Sequence, residues 1–187
     1  MIAIGFFGAI WAAILAIWNL FLFWLSIFAA PVKLPEMFWF IIPVWVNWFF
    51  TEFFQEKYGT SFGNAVSNGV IAIFAGVDWT RYMYRLLSDG VIKFTFGIFL
   101  KFSFAIAAFL FGIFVIIAGI RIKQIVFFIG RIRWVTYILL MFTPIVYGVI
   151  KANFYTLSAI ILFFPLYYWV IEYFDRITPE PRVYRES

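Results

Sequence analysis

The chain is 187 residues long, 66% hydrophobic and 12% charged, with a formal net charge of +5. Soluble domains carry about 25% charged and about 45–50% apolar residues, so this composition argues against a water-soluble fold. With no cysteine and no histidine, the chain has no disulfide, thiolate nucleophile, Cys or His metal site, His-ligated haem or Ser–His catalytic pair.

The apolar runs are long and unbroken rather than alternating over roughly ten residues, which predicts helices and not barrel strands. The expected fold is all-α and polytopic, with about six transmembrane helices over residues 1–175 and a polar tail at 176–187. Residues 2–30 form the first run, with Asn19 as its one strongly polar residue. It lacks a basic lead and is about twice the length of a signal-peptide core, so it reads as a retained helix. Pro31 and Pro35 bracket a short loop containing Lys33 and Glu36.

The second run starts near Met37, and Pro43 should bend it or sit near its start. From Asn47 onward it turns polar on one side. At 100° per residue Asn47, Thr51 and Gln55 fall within roughly 80°, and Glu52 and Glu56 widen the arc to roughly 180°. Lys57 in the last turn complements the helix dipole. Residues 58–61, Tyr-Gly-Thr-Ser, read as a helix stop, a turn and a new N-cap. The third run, 62–87, places Thr60, Asn64, Asn68 and Asp78 within about 100° of one another. Its end, DWTRYMYR, mixes Trp79, Tyr82 and Tyr84 with Arg81 and Arg85. That pattern marks a membrane–water boundary and puts Asp78 near it.

Ser88-Asp89-Gly90 is a turn. Residues 91–101, with Lys93 and Lys101, are either an interfacial segment or the snorkelling start of the next helix. Residues 102–120 are a span. Residues 121–133 form a basic loop with Arg121, Lys123, Arg131 and Arg133 around an apolar insert. Residues 134–150 make a short fifth span with Pro144, and 151–153 a tight hairpin. Residues 154–174 are the sixth span, with Pro165 inside it. With six spans, loop 121–133, Arg176, Arg182 and Arg185 share one side, which the positive-inside bias makes cytoplasmic along with both termini. The plasma membrane of a prokaryote is the expected location.

The expensive groups in such a chain are its polar ones. Glu52 and Glu56, four apart, could bind a cation, relay a proton or act as acid and base. Asn64 and Asn68 could coordinate a ligand or lock helix to helix. The stretch YGTSFGN resembles no complete phosphate loop, since it lacks the Walker lysine and glycine spacing. The binding residues expected are Asn47, Thr51, Glu52 and Gln55 on helix two, with Asn64, Asn68 and Asp78 on helix three. A short turn at Gly59 would bring the two polar arcs face to face around one cavity. Glu52 should face protein, partnered by Asn64, Asn68 or Lys101.

No cofactor is expected: the 25% aromatic content, mostly Phe, suits contact with lipid. The basic residues sit at the ends of apolar runs, so the bilayer, not nucleic acid, is their partner. Three functions fit: an oligomeric channel or transporter, a non-catalytic subunit of a membrane complex, and an enzyme acting on lipid-linked phosphate through Glu52, Glu56 and the Thr60–Ser61 turn. The carboxylates in the polar stripe favour the first, since Asn, Ser and Thr join helices without an unpaired charge.

Overall fold

The structure, a computed structural model, describes residues 2–56 and 59–179. Lys57 and the tail arginines Arg182 and Arg185 lie outside the described residues. The fold is all-helical, and no strand occurs among the described residues. Six longer helices organise it: α1 Ile2–Phe28, α2 Phe38–Phe50, α3 Phe62–Ser88, α4 Phe96–Ile120, α5 Ile132–Val146 and α6 Phe154–Ile177. A π-helical turn, Thr51–Gln55, extends α2, and a single helical turn, Val126–Ile129, precedes α5.

Four segments are long and apolar enough to cross a membrane: Phe7–Phe28, Pro35–Gln55, Phe96–Ile120 and Phe154–Ile177. The expected six are not reached on those criteria. α3 has the length, at 27 residues, but carries Asn64, Asn68, Asp78 and two arginines. α5 has only 15 residues, or about 22 Å at 1.5 Å per residue.

α5 lies at the centre of the bundle. Of its 15 residues, 12 are buried, Ile132, Val135, Met141 and Ile145 among them. α5 packs against α1, α2, α3 and α6. Both of its ends are met by charges from other helices. Glu56 accepts from the Ile132 backbone N–H at 3.1 Å, and Lys101 of α4 donates to the Val146 carbonyl at 3.1 Å. An anion at the N-terminus and a cation at the C-terminus are what the macrodipole favours. Gly148, at φ +80°, then ends the helix in the left-handed region.

α3 lies along α4, not face to face with α2. The cause is a stripe of small residues, Ala65, Gly69, Ala72 and Gly76, opposite Ala105 and Gly112 on α4. A Cβ built on Gly76 would stand 2.6 Å from the Ala105 carbonyl oxygen, and one on Gly69 2.9 Å from that of Gly112. Small residues of this kind let helix backbones touch. α1 joins the bundle only in its second half. Phe21 packs edge-on against Phe163 at 5.4 Å, and Trp24 donates its indole N–H to the Tyr137 hydroxyl at 3.0 Å. From Phe7 to Asn19 its residues are exposed.

Several expected boundaries change. Residues 96–101 belong to α4, whose N-cap is Thr95, so that part of 91–101 is helix. α5 begins at Ile132, two residues before the expected fifth span, which takes Arg133 out of the basic loop. Asp78 is 3% exposed and sits inside the bundle. It accepts from the Tyr147 hydroxyl at 2.6 Å and from Arg81 at 2.9 Å. Trp79 and Tyr82, expected in an interfacial belt, are buried: Trp79 donates to Thr143 Oγ1 at 3.2 Å and Tyr82 stacks on Tyr147 at 3.9 Å. Thr80, Tyr84 and the two arginines face outward. Tyr147→Phe keeps that stack and deletes the bond to Asp78. It should cost about 1.5–3 kcal/mol, the range for a hydrogen bond to a charged group, read as a lower midpoint of thermal unfolding in detergent.

Candidate functional site

The polar stretch that begins at Asn47 ends in the π turn. Glu56 N–H bonds back to the Thr51 carbonyl at 2.7 Å, five residues earlier. Such turns inside or at the end of α-helices recur at functional sites. Here the wider turn points Thr51, Glu52, Phe53 and Glu56 inward, each 7% exposed or less, and leaves Phe54 and Gln55 outside. Gly59, at φ +113°, turns the chain, and Ser61 caps α3 by accepting from the Asn64 N–H at 3.1 Å.

Glu56 is held by three donors: the Ile132 N–H, Thr60 Oγ1 at 2.9 Å and Asn68 Nδ2 at 2.9 Å. Asn68 also donates to the Gly130 carbonyl at 2.8 Å. The carboxylate thus joins the end of α2, the start of α3 and the start of α5. The hydroxyl of Thr60 is spent on Glu56 and that of Ser61 on the α3 cap. Of the residues the lipid-phosphate reading uses, Thr60 and Ser61 therefore take part in holding the turn.

Glu52 is fully buried, as expected for a carboxylate facing protein, but its partner is neither asparagine nor Lys101. It pairs with Nε of Arg133, which is also fully buried. Arg133 spends its other two nitrogens on α6, with Nη1 on Glu172 at 2.5 Å and Nη2 on Asp175 at 3.2 Å. Its guanidinium also lies over the Tyr168 ring at 5.0 Å. The planar fork of arginine suits such a node, where one cation must reach three carboxylates in fixed directions. Arg176 holds the second oxygen of Glu172 at 3.2 Å. One oxygen of Glu52, Oε2, is buried without a hydrogen-bond partner among the described residues, as is Oδ1 of Asn68.

Of the expected binding residues, Thr51, Glu52 and Asn68 are buried at this end of the bundle, within or beside the network. Asn64 is half-buried and bonds the Gln55 carbonyl at 3.3 Å. Gln55 itself is exposed. Asn47 is half-buried, and its Nδ2 has no partner among the described residues. Asp78 does not join them. It is ten residues from Asn68 along α3, about 15 Å at helical rise, and belongs to the opposite end with Tyr147. The expected polar set is therefore divided between two clusters. Beside the first, one turn from Glu52, a cavity of about 200 Å³ is lined by Phe28, Trp45, Trp48, Leu140 and Tyr167.

Arg133, Glu172 and Asp175 are not among the site residues that the sequence suggests. Arg133 reads there as one more headgroup arginine of a basic loop. The usable signal is its place inside Ile-Arg-Trp at the head of an apolar run, together with Glu172 and Asp175 three apart at the end of another. No protein family, curated protein or solved structure matches this chain.

Proposed function

We propose that the chain is an integral membrane protein of six spans, in the plasma membrane of a prokaryote with both termini cytoplasmic, and that it moves an ion or small solute. α3 and α5 complete the six: α3 has the length, and the short α5 is wrapped by its neighbours. The Arg133 network acts as a closed gate that ties α2 to α6 across α5. Protonation of Glu52, or a cation at its second oxygen, weakens its hold on Arg133 and frees the π turn of α2 to move, while Glu172 and Asp175 keep α6 on Arg133. The lipid bilayer and further copies of the chain are its partners.

The observation that supports this reading is the fully buried Arg133 carrying Glu52, Glu172 and Asp175. Well-packed apolar residues often do as well as a buried ion pair for stability, or better. A purely structural joint therefore has little need of one. In liposomes, the protein is expected to carry proton, sodium, potassium or solute flux, and folded Glu52→Gln to change the rate at least about fivefold, the lower end of a typical coupling. Unchanged flux in folded Glu52→Gln, or no flux in the unaltered protein, overturns it. The subunit reading would then stand, favoured by the first half of α1, whose residues from Phe7 to Asn19 are exposed.

A further inference from the structure

Beside the network, on the outer surface of the bundle, runs a groove of about 730 Å³ between the 126–131 turn, the start of α5 and the second half of α6. Its wall is aromatic, from Phe128, Trp134, Phe164 and Trp169, and its mouth is basic, from Arg131 and Arg176. We propose that this groove binds one anionic phospholipid of the adjoining leaflet, with its phosphate between the two arginines and an acyl chain along the aromatic wall. The inference does not depend on the transport reading.

Three observations carry it. Along α6 the lining runs from Phe164 and Pro165 through Tyr168 and Trp169 to Glu172 and Arg176, from apolar to charged in the order that a lipid changes from chain to headgroup. Arg131 is held in place before any ligand arrives: Nη1 donates to the Tyr168 hydroxyl at 3.0 Å and the guanidinium sits 5.9 Å over that ring. Arg176 is 75% exposed and, among the described residues, is bonded through Nε, which leaves its terminal nitrogens for an incoming phosphate. The one carboxylate in the lining, Glu172, is already paired on its other oxygen with Arg133. Two guanidinium groups against one paired carboxylate select an anionic headgroup. A zwitterionic lipid would bring its own cation into the mouth. Basic pockets between helices are a recurrent setting for anionic headgroups.

The test uses the full chain in mild detergent, with native mass spectrometry and thermal unfolding as readouts. The probes are phosphatidylglycerol, phosphatidylcholine with the same acyl chains, and inorganic phosphate. Phosphatidylglycerol should bind at least about fivefold more tightly than phosphatidylcholine, the scale of one basic residue near a lipid surface. Inorganic phosphate should give no comparable shift. Arg131→Gln with Arg176→Gln should abolish the preference. Arg176→Gln alone, at an exposed side chain that leaves the fold intact, should reduce it. Arg121→Gln with Lys123→Gln, exposed on the same end outside the groove, should leave it unchanged. Equal binding of the two lipids overturns the proposal. So does an equal shift with phosphate alone, or an equal loss in the Arg121 and Lys123 variant.

Discussion

Arg133→Met is expected to be the most damaging single substitution at the network end, lowering stability by about 3–5 kcal/mol, the cost of removing one partner of a buried pair. Methionine fills much of the same volume, so the loss is electrostatic. Glu52, fully buried on the π turn, is left without its cation, while Glu172 keeps Arg176. Arg133→Lys should fall between the two, because an ammonium cannot serve three directions with one planar fork. The discriminating variant pairs Arg133→Met with Glu52→Leu. Removing both buried charges should recover part of the loss, since apolar replacements of a whole pair are often neutral or better. Thermal unfolding of all four proteins in one detergent measures this. With Glu52→Leu measured beside them, a double variant whose loss equals the sum of the two single losses would show that the two charges are not coupled.

Gly76→Ala and Gly112→Ala should each cost about 1–3 kcal/mol, the usual penalty of overpacking. At Gly76 the added methyl would stand 2.6 Å from the Ala105 carbonyl oxygen and 2.9 Å from the Phe109 backbone nitrogen. At Gly112 it would run into the carbonyl of Gly69 and lie 2.8 Å from the Ile73 nitrogen. These are backbone atoms, so the helices themselves must part. Gly63→Ala is the control. In the first turn of α3 its new methyl meets nothing closer than 3.9 Å, and the better helix former should be neutral or stabilising by about 0.5–1 kcal/mol. If all three substitutions shift the unfolding midpoint alike, close approach of α3 and α4 is not what those glycines provide.

The same stripe shows what a sequence can hide in view. Ala65, Gly69, Ala72 and Gly76 recur at helical spacing, and so do Ala105, Ala108 and Gly112. That repeat is written in the chain itself and names α4 as the neighbour of α3. The short turn at Gly59 points to α2 instead, but nearness along the chain is not nearness in space. Asp78 shows a different limit. Among Trp79, Arg81 and Tyr82 it has the composition of an interface, yet two of those aromatics are core. Composition reports what a segment contains and not which face of it is turned inward.

By itself the sequence determined the helical class, because long apolar runs with few charges admit little else. It also determined the polar start of α3 with its Ser61 cap, and the need for Glu52 to be inside, since each rests on local chemistry or on the cost of burying charge. Only the tertiary structure decided which cation would meet Glu52. Arg133 is 81 positions away, and its place at the head of an apolar run marks it as a candidate for burial without naming Glu52 as its partner. Tertiary packing also decided that the 15-residue α5 is the central helix, because burial depends on how many neighbours a helix acquires and not on its own hydropathy. The pairing of Glu56 with the start of α5 was settled in the same way: a helix end attracts an anion wherever the fold supplies one, and here the fold supplies it from the end of α2.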